Sequence, residues 1–483
     1  MHIQRTLISF TFLFCGLSTA DDLFVPADYP SIQAAIDAAD NGDVVRVSPG
    51  NYFENIDFLG KPITVVSTDG ASVTGIKAPA ESELPTVRFA SKESSTSVLS
   101  GFKIGGGYGA PFQDSVFGPC IVGAGIYCFE SRPRIEFCQF LSNRVDGPLS
   151  GSDGHGGGLA IIRGDVELKG CEFIGNTSVG HGGAMYIVGP CAPSIDGCLF
   201  DGNEGSWGGA VTCTEQVTGT FLNCTFRDNT AFNVGGAVYV RSQSSPSFIG
   251  VMFRANIQAG NSVAGGAAVT VYGAGTGGGP CYPTFRDCQF EMNIAEGYGG
   301  AVSAAYSGNP TFTDCVFVSN EAGRSGGAVS AVGDPAALTN VTLDNCSIQQ
   351  NDAAETGGGI DVREATLILQ NSMCSLNTAA LQGGGCDFEA SSSISPSSMS
   401  NSKICENIPN QTNGVFSDDG GNIIEDVCLM CPADLSGDGF VNSEDLGLIL
   451  VQWGTNGSGD LDGNNQIDAS DLGLLLVQWG PCS

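Results

Sequence analysis

From residue 138 onward the apolar positions recur in one frame. Cys138-Gln-Phe-Leu-Ser-Asn143 returns as Cys171-Glu-Phe-Ile-Gly-Asn176, Cys198-Leu-Phe-Asp-Gly-Asn203 and Cys224-Thr-Phe-Arg-Asp-Asn229. Val251 to Asn256, Cys288 to Asn293 and Cys315 to Asn320 carry it on. Cys346 to Asn351 keeps the frame with Ile348 in place of Phe, and weaker copies end at Asn377 and Asn407. After most of these Asn residues a glycine pair opens a short β-favouring run, as in Gly182-Gly-Ala-Met-Tyr and Gly235-Gly-Ala-Val-Tyr-Val. Internal repetition at a fixed period is the mark of a stacked architecture.

The composition of the repeat rules out helices. Each glycine costs roughly 1 kcal/mol in a helix interior, whereas short Val, Phe and Tyr runs separated by Gly, Asn and Ser read as strands. The tightest copies, Cys171 to Cys198 and Cys198 to Cys224, lie 27 and 26 residues apart. That length suits one coil of a parallel β-helix whose coils pair at about 4.8 Å. Equivalent residues then stack. The Phe column is expected inside. The Asn column is expected at a turn, bonding to the coils above and below in left-handed backbone, and the Gly pair at a turn that a Cβ would forbid.

The start of the chain fits this plan. Tyr29 to Asp40 reads as a short amphipathic helix with Ile32 and Ile36 on one face, placed to cover the open strand edge of a first coil. Gly42-Asp-Val-Val-Arg-Val and Ile63-Thr-Val-Val-Ser follow it. These residues resemble the N-terminal cap and first coil of the pectin-lyase-like superfamily. The Phe-x-x-Asn and Gly-Gly-Ala-(Ile/Val/Leu) tetrapeptides resemble the repeats of polymorphic outer-membrane proteins. The resemblance covers roughly residues 22 to 425 and implies an all-β, right-handed parallel β-helix with an N-terminal capping helix.

Charge and cysteine narrow the setting. With 51 acidic against 19 basic residues the chain carries -32, which disfavours nucleic acid as a partner. Residues 1–20 read as a signal peptide, Arg5 preceding an apolar run and Leu17-Ser-Thr-Ala20 offering a cleavage site. No later apolar run is long enough for a membrane span, so a secreted, extracellular or cell-surface protein is expected. Seven cysteines of the repeat (Cys138, Cys171, Cys198, Cys224, Cys288, Cys315, Cys346) should face inward as reduced apolar fillers.

Composition changes after residue 427, dividing a β-helix over 21–427 from a module over 428–483. Asp434, Ser436, Asp438, Phe440, Asn442 and Asp445 occupy positions 1, 3, 5, 7, 9 and 12 of a calcium loop, with Gly439 at the sharp turn. Asp460, Asp462, Asn464, Gln466, Asp468 and Asp471 repeat the series, with Asn465 replacing the glycine. Each loop runs into a near-identical apolar helix, Leu446 to Trp453 and Leu472 to Trp479. The duplication resembles a type I dockerin, which implies a small α-helical domain, two calcium ions and a cohesin-like partner. Leu446, Leu450, Leu472 and Leu476 are expected to pack inward, and Cys431 to lie near Cys482, a disulfide clasp around the module.

Catalytic residues are not legible. The repeats lack the Arg-x-Lys and the carboxylate clusters of polysaccharide lyases and hydrolases. Gly154-His155-Gly and Gly180-His181-Gly stand 26 residues apart, before the repeat's own Gly pair, and read as one turn position stacked twice. Arg227 and Arg254 share a register and read as solvated turn arginines. The expectation is a non-catalytic scaffold that binds polysaccharide or protein and is assembled through its calcium module. The alternative is a carbohydrate-active enzyme, a lyase or O-glycosyl hydrolase, in extracellular polysaccharide breakdown.

Overall fold

The computed structural model describes residues 20–115, 118–147, 154–260, 262, 265–273, 278–333, 336–389, 396–426, 433–436 and 440–481. Residues 1–19 of the expected signal peptide, Asp438, Gly439, Cys431 and Cys482 lie outside them. Two compact units divide at Ile423/Ile424. Residue 427, the boundary expected from composition, is also outside the described residues.

The first unit is a parallel β-helix. Among the described residues the coils visit three sheets at first and four from Arg144 onward: sheet I of 15 strands from Asp22–Val25 to Phe416–Asp418, and sheet II of 14 from Gly50–Phe53 to Ile423–Glu425. Sheet III has 9 strands from Arg144–Val145 to Thr378–Ala379, and sheet IV has 13 from Ile56–Asp57 to Thr412–Gly414. Pairing within them is parallel and in register, for example Phe140↔Phe173↔Phe200. The short helix α1, Ile32–Ala38, starts at the Ser31 N-cap and buries Ile32, Ala35 and Ile36 in the core. Glu54, just past the first strand of sheet II, accepts the Ile32 and Gln33 N–H groups at 2.9 and 2.8 Å. It satisfies donors that a helix start leaves open.

The expected Phe column is present. Phe140, Phe173, Phe200, Phe226 and Phe253 are fully buried, with neighbouring rings 4.3 to 5.1 Å apart and planes within 13°. A second column, not anticipated, descends sheet I through Phe221, Phe248, Phe285 and Phe312 and meets the first at its edges. Offset stacking at these distances adds to the burial term, about 0.5–1.5 kcal/mol per pair.

The Asn column is buried from Asn143 to Asn407. Each amide donates to a carbonyl of the preceding coil and to the next Asn, with Gln411 taking that place after Asn407; Asn229 Nδ2, for instance, reaches Phe200 O at 3.0 Å and Asn256 Oδ1 at 2.9 Å. The left-handed residue is not the Asn, as expected, but the one before it: Ser142, Asp228, Ala255 and Met292 have φ of 49°, 55°, 53° and 53°. The reversal just upstream leaves the Asn free to turn inward. The glycine pair behaves as argued. Gly182 has φ +61°, and a Cβ on Gly183 would stand 2.3 Å from the carbonyl oxygens of Glu204 and Gly209.

In the second unit α2 (Ser443–Val451) and α3 (Ala469–Val477) enclose a small core of Ala433, Val441, Ile449, Ile467 and Leu475. Leu446 and Leu472 pack against it, but Leu450 and Leu476 face outward, each 53% exposed. The helix phase explains the correction. Asp445 and Asp471 turn into their loops to complete capping boxes, and the residue four positions on, Ile449 or Leu475, follows them inward.

Candidate functional site

The second loop gathers its oxygen ligands. One carboxylate oxygen each from Asp460, Asp462 and Asp471 lie within 4.8 Å of one another. Backbone N–H groups shape the cradle. Asn464 and Asn465 donate to Asp460 at 3.0 and 2.8 Å, and Leu461, Asp462 and Asp468 donate to Asp471 at 2.7, 3.1 and 2.8 Å. The Asp468 bond, then the other two, hold the Asp471 carboxyl below the usual carboxylate range. Asn465 has φ 68°, the left-handed turn expected of it. Asn464 Oδ1 accepts the Gln466 N–H, and Asp468 caps α3 through the Ser470 N–H.

The first loop repeats the frame. Asp445 Oδ1 accepts the Ser436 N–H at 2.7 Å, Asp445 Oδ2 the Asn442 N–H at 2.8 Å, and Asn442 Oδ1 the Glu444 N–H. Burial alone would raise Asp445; these bonds outweigh it and lower its pKa. Ser436 donates to Asp434 at 3.3 Å, and Phe440 pairs with Pro481 in a two-residue strand. The donor set is hard oxygen, and residues 433–483 contain no Lys, Arg or His to neutralise its charge. Such a site suits a divalent hard cation.

In the β-helix, His155 and His181 are buried and meet edge to face, ring centroids 5.1 Å apart and planes at 67°, with Trp207 stacked on His181 at 4.8 Å. The His181 N–H donates to His155 Nδ1 at 3.0 Å. Burial, then His155 and Arg241, push His181 well below the ordinary imidazole range. Arg227 and Arg254 are in register and half exposed; Arg227 pairs with Asp201 at 2.6 Å, Arg254 with Glu291 at 3.9 Å. The seven repeat cysteines are buried and free. Their thiols close the turn, as where Cys224 Sγ donates to Ile195 O and Leu222 O.

One constellation escaped the sequence reading. Asp361 and Asp387 are in register on adjacent strands of sheet IV, outside the apolar core yet 0% and 2% exposed. Arg363 Nε and Thr356 Oγ1 donate to Asp361 at 2.8 and 2.9 Å, and Asn413 Nδ2 donates to Asp387 at 2.6 Å. Its signal was Gly-Gly-Gly-Ile-Asp361 against Gly-Gly-Gly-Cys-Asp387, with acids where other coils carry Tyr186, Thr212, Ser303 or Ser330.

Residues 100–276 match a family model described as a right handed beta helix region. No curated protein matches the chain. Among solved structures, the catalytic unit of a thermostable GH87 alpha-1,3-glucanase from Streptomyces thermodiastaticus strain HF3-3 is similar at 13% identity and a TM-score of 0.46, over 82% of this chain and 66% of that one. ORF18 of Geobacillus virus E2 is similar at 16% identity and a TM-score of 0.28, over 80% and 57%. A rhamnogalacturonan lyase is similar at 12% identity and a TM-score of 0.27, over 94% and 98%.

Proposed function

We propose that the chain is an exported β-helix scaffold, non-catalytic, held at an extracellular or surface assembly by a calcium-dependent dockerin-like module. The observation that carries this reading is the convergence of Asp460, Asp462 and Asp471 in a loop whose frame is repeated by the first. One calcium ion would be held by Asp434, Ser436, Asp438, the Phe440 carbonyl, Asn442 and Asp445. A second would be held by Asp460, Asp462, Asn464, the Gln466 carbonyl, Asp468 and Asp471. The ions neutralise clustered carboxylates and order both loops. A cohesin-like partner is supported by the apolar surface the two helices leave outside: Val451 and Val477 are each 85% exposed, beside Leu450, Leu476, Trp453 and Trp479. Contiguous exposed apolar surface of this kind marks an interaction site.

A second reading, a carbohydrate-active enzyme, is favoured by Asp361 and Asp387 on adjacent strands with Arg363 beside them. Their burial speaks against substrate access. The test is a panel of uronic-acid and neutral polysaccharides, scored for binding and for product release, with calcium titrated calorimetrically into the full chain. Two bound calcium ions with no product release is the expected result. Product release that is lost in Asp361→Asn would establish the enzyme instead.

A further inference from the structure

We propose that Asp361 and Asp387 share one proton and that this proton clasps the last coils of the β-helix, which tighten in acid and loosen as pH rises. The inference is independent of the calcium module. It begins with the outward row of sheet IV, where Ser303, Ser330, Asp361, Asp387 and Asn413 follow one another in register. Successive strands stand about 4.8 Å apart, so the row places two carboxyls one rung apart, with Asn413 on the last strand of the sheet.

The partners are unequal to two charges. Asp361 receives Thr356 Oγ1 and Arg363 Nε, and Ser330 Oγ at 3.4 Å. Asp387 receives Asn413 Nδ2. Among the described residues Arg363 is the one cation in contact with the pair, its Nη2 2.8 Å from Asp361 and its guanidinium 4.2 Å from the Tyr298 ring centre. Glu389 lies in register with Arg363 and adds a negative charge that raises Asp387 further. Arg324, over the other reach of Tyr298 at 4.8 Å, is engaged by Glu355 at 3.1 Å.

Two carboxylates confined in a dry site around one guanidinium repel, and the pair relieves this by holding a proton between its members. Burial is the leading cause for both, pushing Asp361 up to about 6 and Asp387 in the same direction. The sign follows. A carboxyl raised on folding contributes stability that is full below its unfolded value of 3.8 and is lost as pH rises through about 6. The Asp387–Asn413 bond ties the final strand of sheet IV, so that strand should feel the loss first.

Hydrogen exchange of the full chain in saturating calcium, at about pH 4.5 and about pH 7.5 and corrected for intrinsic rates, reads this directly. The opening equilibrium of peptides spanning 360–363, 386–389 and 412–414 should rise about 25-fold between the two. Peptides spanning 199–201 and 225–227 should not follow. Asp387→Asn, which removes one charge and keeps the shape, should diminish the rise, the burial of Asp361 being its remaining source; Asp361→Asn serves if that variant fails to fold. Equal protection of the wild type at both values, or an undiminished rise in a folded variant, overturns the proposal.

Discussion

Replacing Asn229 by Leu tests the ladder that holds the coils in register. Leucine matches the shape and removes the amide. Asn229 Oδ1 accepts both the Asn203 backbone N–H at 3.0 Å and Asn203 Nδ2 at 2.9 Å, and its own Nδ2 donates to Phe200 O at 3.0 Å. The change leaves two buried donors of Asn203 without their acceptor. Each such group costs about 1–3 kcal/mol, so the local loss is about 2–6 kcal/mol. Asn223, exposed at φ 51° in the preceding turn, supplies the control. Asn223→Ala loses no buried partner, and only the left-handed backbone penalises it, by about 1 kcal/mol. Hydrogen exchange on the strands Leu199–Asp201, Thr225–Arg227 and Met252–Arg254 is the assay. Coils contact only their neighbours, so the effect should fade within a few rungs. An Asn229→Leu loss no larger than that of Asn223→Ala would refute the ladder as a source of stability.

Two further outcomes follow from buried groups. His181, kept neutral by burial, binds fewer protons folded than unfolded, so its contribution is present above about 6.5 and is lost as pH falls below it, by up to about 1.4 kcal/mol per pH unit; thermal melts at about pH 7 and pH 5 should show a smaller acid loss in His181→Phe. Burial raises the Cys138 thiol to about 12 and Cys281 to about 11, so a thiol reagent should label them only on unfolding. Cys224→Ser should shift the melt by less than about 1 kcal/mol, because Ser372 and Ser402 already fill that turn with hydroxyls donating to Gln370 O and Ser400 O.

The β-helix was legible because stacking makes equivalent residues identical. Phe, Asn and the glycine pair each answer one recurring demand, so their spacing exposed the coil. What escaped lacked such a demand. The second Phe column continues a row that starts with Ile135, Leu168 and Ile195, since any large apolar residue fills it. The antiparallel pair Ala110–Asp114 and Gly118–Val122 lies between coils and covers the outer face of sheet IV around Tyr127 and Tyr186; an insertion carries no period. Asp361 and Asp387 were invisible as a pair because the outward row changes character from Tyr and Thr to Ser and Asp along the helix. In the module, the convergence of Asp460, Asp462 and Asp471 could be read from loop spacing, whereas Leu450 and Leu476 were misplaced because helix phase is set by Asp445 and Asp471.

The most direct test of a calcium-held module on an independent β-helix is hydrogen exchange of the intact chain with and without chelator. Eight acidic side chains and no basic one occur in residues 433–483, and so short a segment has little core to offset their repulsion. An ion bound by the folded loops alone would stabilise the folded form by mass action. Chelation should therefore strip protection from Ser443–Val451 and Ala469–Val477 while the strands between Arg134 and Cys405 keep theirs. Retained protection of both helices in the calcium-free, reduced chain would contradict the account.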